Sequence, residues 1–332
     1  MKKFNVAVVG ATGMVGESMI SILEERAFPV EQLTPLASKR SLGKKVSFQS
    51  KDLEIVDLDN FDFRGIDFAF FSAGASVSRD FAPIAAKAGS MVIDNTSEFR
   101  YDDEIPLVVP EVNPSALSEC RAKNIVANPN CSTIQLMIAL APIHNHTPIK
   151  KINIATYQSI SGAGRSAIEL LEKQLTDNNT SPTDSHQIFA HNVIPQIGEF
   201  QDNGYTLEEM KLVWETKKIL GSNEIEVNAT AVRVPVRVGH SEAVTFETES
   251  EISVSLVNEL LDTSSHIEVM QGGEYPVPIK HGEGTDKVYV GRIRRDLSTQ
   301  NSINLWIVAD NIRKGAALNS IQIAEKIIDS DL

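Results

Sequence analysis

Residues 4–16 read FNVAVVGATGMVG, and this stretch decides the fold of the first part of the chain. A short apolar, β-branched run, 4–9, is followed by apolar residues at helical spacing. The turn between them has the pattern G-x-x-G-x-x-G, one residue wider than the usual dinucleotide fingerprint. Glycines let the backbone approach a pyrophosphate there, and the helix N-terminus adds N–H donors. The stretch predicts a dinucleotide site, although glycines also form plain tight turns. Its expected contacts are Gly10, Thr12, Gly13, Met14 and Val15.

Short apolar runs recur along the first part of the chain, at 32–37, 68–72, 91–94 and 107–109. A helix or a loop separates each run from the next, and 77–88 has the spacing of one of these helices. Strands that alternate with helices are typical of a parallel sheet covered by helices on both faces. We therefore predict an α/β domain of the Rossmann type, a doubly wound parallel sheet.

The pattern changes near residue 130, where runs with strand composition begin to follow one another with few helices between them. This succession predicts an α+β domain with a mixed, largely antiparallel sheet. The strand runs are 151–159, 226–238, 243–249, 287–294 and 302–309, and the predicted helices are near 134–143, 167–175 and 207–220.

Two further segments bear on the domain boundaries and on the site. Residues 315–328 again have helical apolar spacing, and we expect them to pack back on the first domain. The predicted domains are therefore 1–129 plus 314–332 for the nucleotide, and 130–313 for the remainder. The polar stretch 176–185 is expected to be a loop or a mobile cover over a site.

The composition narrows the range of partners. The 332-residue chain carries a net charge of −13, which disfavours nucleic acid and membrane surfaces. An anionic substrate would have to be held by individually placed cations. Two cysteines are too few for a disulfide framework, and no Cys/His cluster suggests a metal. Because the start of the chain has no signal-peptide pattern and no later segment is apolar for long enough to span a bilayer, we expect a cytoplasmic protein.

The end of the second predicted strand indicates which dinucleotide would bind. NAD sites usually carry an acidic residue there, whereas this chain has Ser38, Arg40 and Ser41. A guanidinium with two nearby hydroxyls suits a 2′-phosphate, so NADP is favoured. A solvated basic turn is the alternative interpretation. Two further cofactor contacts, Ser72 and Gly74, are expected where the run 68–72 ends.

Cys131 is the candidate nucleophile. It follows Asn128-Pro129-Asn130 and immediately precedes the predicted helix, where the dipole and free N–H groups stabilise a thiolate. Those N–H groups, with the side chain of Asn130, would also suit an oxyanion. A buried structural cysteine is the alternative. Cys120 lies in a polar run with no such setting and is taken as incidental.

His240 is the candidate proton shuttle for that thiol. It ends the strand-like run 233–240, and strand ends hold catalytic groups rigidly. From the residues alone, a polar histidine with satisfied hydrogen bonds is the commoner interpretation.

Five blocks in order, 10–16, 128–135, 158–164, 233–242 and 310–315, resemble the aspartate-β-semialdehyde dehydrogenases nearly end to end. The short insertions resemble the branch of Gram-positive bacteria and archaea. The resemblance implies an NADPH-dependent reduction of L-aspartyl 4-phosphate to L-aspartate 4-semialdehyde, with release of phosphate, through a cysteine thioester. It also implies a place in lysine, threonine, methionine and diaminopimelate biosynthesis, a homodimer or homotetramer, and a catalytic and dimerisation domain at 130–313.

The resemblance also assigns roles to single residues. Cys131 matches the acylated nucleophile, His240 the acid–base catalyst and Gln158 the group that orients the acyl intermediate. Arg233 matches the clamp on the substrate carboxylate, and Arg100 the phosphate-binding arginine. Further matches are Glu208 and Lys211 beside the phosphate and the substrate amino group, Asn130 for the substrate, and Ser161, Gly162 and Asn311 near the nicotinamide.

Two alternatives stay open at this stage. N-acetyl-glutamyl-phosphate reductase shares the reaction type and the architecture, but it must accept an acylated amine. A catalytically silent homologue that binds NADP is the second, although Cys131, Gln158, Arg233 and His240 are all present.

Overall fold

The computed structural model describes residues 2–176 and 187–330. The chain forms two compact units, Met1–Asn130 with Ala316–Leu332 and Cys131–Gly315. Nearly all of the predicted polar loop, 177–185, lies outside the described residues.

The strands are β1 (Phe4–Val9), β2 (Val30–Ala37), β3 (Lys45–Phe48), β4 (Lys51–Glu54), β5 (Val56–Asp57), β6 (Phe68–Phe71), β7 (Met91–Asp94), β8 (Ile125–Ala127), β9 (Ile149–Gln158), β10 (Glu226–Arg233), β11 (His240–Thr248), β12 (Ile267–Met270), β13 (Val288–Arg295) and β14 (Ser302–Ala309). The helices are α1 (Met14–Glu25), α2 (Ala75–Lys87), α3 (Cys131–His146), α4 (Arg165–Thr176), α5 (Leu207–Leu220), α6 (Val254–Asp262) and α7 (Leu318–Asp329).

The first unit is built on a six-stranded sheet in the order β5-β2-β1-β6-β7-β8. Every pairing in it is parallel. Strands β6 and β7 are buried along their whole length, as expected where helices cover both faces. Helix α7 packs against α1 and contributes Leu318 and Ile321 to the core of this unit. The predicted doubly wound parallel sheet is confirmed.

One predicted strand of the first unit is wrong. Residues 107–109 form no strand, and only Leu107 makes an isolated bridge, to Ala127. The flanking residues Pro106 and Pro110 have no N–H to give to a ladder. The sixth strand is instead β8, a three-residue segment that was not predicted.

The second unit is built on a mixed sheet in the order β10-β9-β11-β14-β13-β12. The β9–β10 and β12–β13 pairs are parallel, and the other three pairs are antiparallel. Helix α3 packs on β9, β11, β13 and β14, while α5 packs on β10. The predicted mixed sheet is confirmed, but α6 was not predicted because its nine residues were too short to stand out.

Strand β11 shows that the two faces of this sheet differ in solvent exposure. His240, Glu242 and Val244 are buried, whereas Ala243 and Thr245 are partly exposed. Successive side chains of a strand point to opposite faces, so the even-numbered residues lie on the helix-covered face. His240 therefore begins the strand on its buried side.

Candidate active site

The turn at 10–16, called the glycine turn below, is too tightly packed for side chains at two of its glycines. Gly10 has φ +89°, and a Cβ there would lie 3.0 Å from the backbone nitrogen of Ala73. A Cβ on Gly16 would collide with the carbonyl oxygen of Gly10. Gly13 is the N-cap residue of α1 and offers no side chain to the first N–H groups. The turn thus presents bare backbone at a helix N-terminus, which fits a pyrophosphate.

The turn after β2 lies beside the glycine turn. The hydroxyl oxygens of Thr12 and Ser41 are 3.2 Å apart. Ser38 is the N-cap residue of the short helical turn Lys39–Ser41, and Arg40 within it is exposed. Of the residues predicted for the 2′-phosphate, Ser41 therefore contacts Thr12, while Ser38 and Arg40 belong to the same short turn.

The remaining predicted cofactor residues divide between the two units. The Ser72 hydroxyl donates to the carbonyl of Val9 at 3.2 Å, and Gly74, with φ +99°, immediately precedes α2. Both belong to the first unit with the glycine turn. The others, Ser161, Gly162 and Asn311, belong to the second unit.

A chain of asparagine amides holds the end of β8 in the first unit. Asn319 on α7 donates to the side-chain oxygen of Asn128 at 2.7 Å, and Asn128 donates to that of Asn95 at 2.7 Å. Arg100, itself buried, donates to the carbonyl of Asn95 at 3.1 Å. Sequence reasoning missed this chain, because Asn95 and Asn319 are 224 positions apart and only the fold brings them to Asn128.

Cys131 is the first residue of α3, three residues earlier than the predicted helix start, and its side chain is half-buried. A helix N-terminus favours a thiolate through its dipole and free N–H groups. Gly315 packs directly against the cysteine, since a Cβ there would lie 2.9 Å from the Cβ of Cys131. The preceding residue, Asn130, is buried.

Gln158, at the end of β9, links the start of α3 to α5. Its side-chain nitrogen donates to the hydroxyl of Ser132 at 3.0 Å and to Oε1 of Glu208 at 3.2 Å. Ser132 is the neighbour of Cys131, so the amide is fixed beside the cysteine. Gln158 is almost completely buried, which makes this arrangement rigid.

Glu208 and Lys211 form a pair on the first turns of α5. The ammonium of Lys211 lies 2.9 Å from Oε2 of Glu208, and both side chains are largely shielded from solvent. The neighbouring Glu209 closes a capping box with Thr206. Glu209 is therefore held at the helix end, whereas Glu208 reaches Gln158.

Arg233, at the end of β10, is next to Gln158 in the parallel register and is buried. Its NH1 donates to the carbonyl of Ser159 at 2.7 Å. Burial lowers the pKa of Arg233, while Glu208 and Cys131 oppose that shift. The guanidinium remains a cation and lies in the electrostatic range of the cysteine.

His240 is completely buried, and the hydrogen-bond contacts of its ring are at Nδ1. Its Nδ1 lies 3.1 Å from the backbone nitrogen of Ser159 and 3.0 Å from the Ser159 hydroxyl. In the part of the chain that the structure describes, no hydrogen-bond partner reaches Nε2. The pKa of His240 is lowered to about 3, mainly by burial and also by the Arg233 cation, while Glu208 opposes the shift. The imidazole is therefore neutral at physiological pH.

Asn311 completes the histidine cluster, the name used below for Ser159, Ser161, Arg233, His240 and Asn311. Its Oδ1 accepts from the hydroxyls of Ser159 and Ser161 at 3.0 and 3.1 Å, and from the backbone N–H of Gly239 at 2.9 Å. Its amide nitrogen donates to the Ser161 hydroxyl at 2.9 Å.

Gly162 leaves the space beside the cluster open. A Cβ there would lie 2.9 Å from NH1 of Arg233 and 3.5 Å from Nε2 of His240. The arrangement combines a cysteine at a helix N-terminus, a buried guanidinium, an oriented amide and a neutral imidazole. Such a set can bind a carboxylate and form a covalent acyl intermediate.

Within 2–176 and 187–330, no cluster of three histidine, cysteine or acidic side chains is placed to hold a metal ion. Over the same residues, no helix has the length and apolar character needed to cross a membrane.

Two family models match the chain, one for each part of it. The semialdehyde dehydrogenase NAD-binding domain matches residues 5–120, and the semialdehyde dehydrogenase dimerisation domain matches 140–314. The aspartate-semialdehyde dehydrogenase of Shewanella violacea is 54% identical over 332 residues, which are 98% of each chain. The chain belongs to the aspartate-semialdehyde dehydrogenase family. The expected enzyme class and reaction family are thereby confirmed.

Solved structures of this family extend the comparison. Aspartate semialdehyde dehydrogenase II from Vibrio cholerae, one structure of which is a complex with ASA, is 50% identical with a TM-score of 0.97 over the whole of both chains. An enzyme from Candida albicans, described with NADP, is 26% identical with a TM-score of 0.79 over 99% of each chain.

The predicted Gram-positive and archaeal branch is wrong. The relatives that match at about 50% identity come from Shewanella, Vibrio and Legionella, which are Gram-negative bacteria. That prediction rested on the short insertions, and insertions in surface loops are gained and lost too easily to define a branch.

Proposed function

We propose that the protein reduces L-aspartyl 4-phosphate to L-aspartate 4-semialdehyde with NADPH, by way of a thioester on Cys131. The observation that carries the proposal is the set of groups around Gln158 in the second unit. That amide joins the neighbour of the cysteine to Glu208, and it lies next to Arg233 in the strand register. The buried amide of Gln158 thus lies among the sequence neighbour of the nucleophile, the carboxylate assigned to the substrate amine and the anion clamp.

In this proposal Arg233 binds the α-carboxylate of the substrate, since a guanidinium can hold a carboxylate by two parallel hydrogen bonds. Arg100 and Lys211 are assigned to the phosphate by resemblance. The Cys131 thiolate attacks the acyl carbon, the bond to the phosphate oxygen breaks, and a thioester forms. Asn130 and the N-terminal N–H groups of α3 are assigned to the acyl oxygen, since donors at a helix N-terminus suit an oxyanion. When bound, NADPH would supply the hydride that reduces the thioester.

Glu208 supports aspartyl phosphate over an N-acetylated substrate. It is buried, it is paired with Lys211, and it accepts a hydrogen bond from Gln158. A carboxylate at this position is well suited to a substrate ammonium, a cation that an N-acetylated substrate lacks. The acetyl group would also need space beside this pair.

The choice of NADP is supported by the exposed Arg40 next to Ser38 and Ser41, and by the bare backbone of the glycine turn. A relative from Candida albicans is described with NADP. We place the reaction in the cytoplasm, where a reducing environment keeps the Cys131 thiol from forming a disulfide.

We further propose a homodimer, alone or paired into a tetramer, that forms through the open face of the second sheet. Tyr157 and Trp306 lie on this face with ring centroids 5.4 Å apart, and Tyr157 is 37% exposed. Partly exposed aromatic pairs are typical of subunit interfaces. Light scattering after size-exclusion chromatography gives the assembly, and a monomer at micromolar concentration would contradict this part of the proposal.

The reaction is tested in the oxidative direction, with aspartate semialdehyde, inorganic phosphate and NADP. NADPH formation should require all three, and N-acetyl-glutamate semialdehyde should react far more slowly. Equal rates with the two aldehydes, or a rate that does not depend on phosphate, would contradict the proposal. NAD in place of NADP tests the cofactor in the same assay.

A further inference from the structure

Helix α7 buries an amide side chain that bonds to distant segments of the first unit. Most buried residues of this helix are apolar, and Leu318 and Ile321 belong to the core. Asn319 and Ser320 are completely buried as well. The Ser320 hydroxyl donates to the carbonyl of Ala316, four residues earlier. The Asn319 amide bonds outside the helix. Because a buried amide is costly unless its hydrogen bonds are made, its partners show what this asparagine does.

The hydrogen bonds of Asn319 determine how the neighbouring amides are oriented. Its side-chain nitrogen donates to the carbonyl of Val108 at 3.1 Å and to Oδ1 of Asn128 at 2.7 Å. A backbone carbonyl can only accept, which identifies the NH₂ end of Asn319. Oδ1 of Asn128 is then an acceptor, so the Asn128 nitrogen donates to Oδ1 of Asn95 at 2.7 Å. One backbone carbonyl thus sets the orientation of three amides, called the asparagine chain below.

The middle residue of the asparagine chain is held firmly. Asn128 is completely buried, and its backbone N–H donates to the carbonyl of Asp94 at 2.8 Å. The next residue, Pro129, has a fixed φ angle. Buried hydrogen-bond networks whose members are paired are rigid. A change at Asn319 is therefore transmitted through Asn128 and is not absorbed by it.

The far end of the asparagine chain supports Arg100. The backbone N–H of Asn95 donates to the carbonyl of Phe71 at 2.9 Å, which extends the ladder of β7 by one residue. The carbonyl of Asn95 accepts from the buried guanidinium of Arg100 at 3.1 Å. Arg100 thus bonds to a residue whose side chain is held by Asn128.

The nearby carboxylate of Asp94 attracts Arg100 but is occupied by other donors. Burial raises the pKa of Asp94, and hydrogen bonds from Ser78 and Thr96, together with the Arg100 charge, oppose the shift. The Ser78 and Thr96 hydroxyls donate to it at 2.7 and 2.8 Å. Attraction between charges has little directional preference, whereas the bond to the Asn95 carbonyl has a defined geometry. The orientation of the guanidinium consequently depends on Asn95.

We propose that Asn319 is a positioning residue for the substrate phosphate, acting through Asn128 and Asn95 on Arg100. This proposal rests on the proposed function, in which Arg100 binds the phosphate. Asn319 touches no substrate in this arrangement. It fixes the segment that carries the cation, and a displacement of about 1 Å far from the reacting atoms is enough to lower a rate strongly.

Asn319→Leu removes both donors and keeps a side chain of similar length. In the oxidative assay, KM for phosphate should rise at least about 10-fold, while KM for NADP and for aspartate semialdehyde should change less than about 2-fold. Asn319→Ala, which suits a helix, is a second variant with the same expectation. Ser320→Ala is the matched control, because its hydroxyl bonds only within the helix region, and it should leave all three constants unchanged. A normal KM for phosphate in both Asn319 variants would overturn the proposal.

A double-variant cycle tests whether Asn319 acts through Arg100. A lysine in Arg100→Lys cannot reproduce the guanidinium contact that the asparagine chain orients. Adding Asn319→Leu to this variant should therefore raise KM for phosphate by less than about 2-fold further, since residues that act through one another are not additive. Effects that multiply fully would mean that Asn319 influences phosphate binding independently of Arg100, which would contradict the proposal.

Hydrogen exchange of the whole enzyme, followed by mass spectrometry, tests the asparagine chain without substrate. The backbone N–H groups of Asn95 and Asn128 are protected by carbonyl partners. In Asn319→Leu, peptides that cover 95–101 and 127–130 should exchange about 10-fold faster than in the wild type or in Ser320→Ala. Unchanged exchange in 95–101 would overturn the proposal. A wild-type rate that does not depend on phosphate would instead contradict the proposed function, and the exchange test would still decide whether Asn319 holds this segment.

Discussion

The glycine turn of the first unit and the histidine cluster of the second differ in how far apart their residues lie in the sequence. The turn occupies seven consecutive positions, and its shape follows from the missing side chains of Gly10 and Gly16. The cluster combines residues from segments as far apart as Ser159 and Asn311, joined by buried hydrogen bonds. The turn therefore works through local backbone, whereas the cluster depends on the packing of the whole sheet.

The two regions also differ in the environment of their charged and hydrogen-bonding groups. The glycine turn offers N–H groups and a helix dipole at a surface where Arg40 is solvated. In the cluster, Arg233 and His240 are buried, and burial is the main cause of the shift in both pKa values. Substitutions should consequently have larger and more cooperative effects in the cluster than at the turn.

The largest expected effect comes from Cys131, the proposed nucleophile in the second unit. Cys131→Ser should lower turnover roughly 10⁴- to 10⁶-fold and leave NADP binding intact, because the covalent step is lost while the first unit is unchanged. Steady-state rates and calorimetric titration with NADP measure the two quantities.

Cys120→Ser is the matched control in the other unit. Cys120 is buried in the hydrophobic core, and burial raises the pKa of its thiol, so it is an unreactive packing group. This variant should lose stability and keep its turnover. Comparable turnover in the two variants would remove Cys131 from the mechanism.

The next largest effect is expected from Arg233→Lys. A lysine keeps the charge but cannot make two parallel bonds to a carboxylate while also reaching the Ser159 carbonyl. We expect kcat/KM for aspartate semialdehyde to fall about 10²-fold. Arg237→Lys, an exposed arginine whose partner Glu172 is 3.4 Å away, is the control and should change little. A similar loss in both variants would point to a general effect of charge rather than to the cluster.

A smaller effect is expected beside the glycine turn. Arg40→Ala should lower the preference for NADP over NAD by about 10-fold or more, the value of a charged hydrogen bond to phosphate. The ratio of kcat/KM with the two cofactors measures it. Lys39→Ala is the control, because Lys39 is exposed and paired with Asp59 at 3.6 Å. An unchanged preference in Arg40→Ala would show that the 2′-phosphate is recognised elsewhere.

The smallest effect concerns Glu242, two residues beyond His240 on the same buried face. Burial raises the pKa of Glu242 well above its usual range, and Gln135 on α3 is the neighbour that favours its charged form. The folded protein thus keeps a proton that the unfolded chain loses above about pH 4.3. The free energy of unfolding of the wild type therefore falls as the pH rises from the pKa of Glu242 in the unfolded chain towards its raised pKa in the folded protein.

Glu242→Gln does not titrate, so its stability relative to the wild type should increase with pH, by at most about 1.4 kcal/mol per pH unit within that window. Thermal unfolding at about pH 6 and pH 8 measures the difference. Glu247→Gln, on the same strand and partly exposed, is the control. A stability difference that is the same at both pH values would mean that Glu242 is ionised in the folded protein.

The elements that the sequence predicted well are those with local signals. Helix α5 begins and ends where its pattern predicted, because Thr206 and Glu209 cap one end and Gly221, with φ +63°, terminates the other. The glycine turn was located for the same reason, since a strand, a turn and a helix follow one another within a few residues.

The details of the site could not be predicted because they depend on contacts between distant segments. Asn311 was expected near the nicotinamide, and that role stays a prediction, but its three hydrogen bonds to Oδ1 join it to Ser159, Ser161 and Gly239. Likewise, the reciprocal hydrogen bonds between Thr206 and Glu209 at the start of α5 were found only in the structure. The sequence also gives no indication of which ring nitrogen of His240 accepts the hydrogen bond from the Ser159 N–H.

That single peptide N–H has a consequence for inhibitor chemistry. Because the His240 ring offers a donor at Nε2, a compound with an acceptor oxygen at that position, such as a sulfonyl or carbonyl group, should bind more tightly. A hydroxyl or ammonium group there should bind more weakly, because its own hydrogen would face the Nε2–H donor. Under the proposed function, a carboxylate for Arg233 and an electrophile for Cys131 complete a three-point pharmacophore with this acceptor. The orientation of one backbone amide thus becomes a rule for selecting compounds.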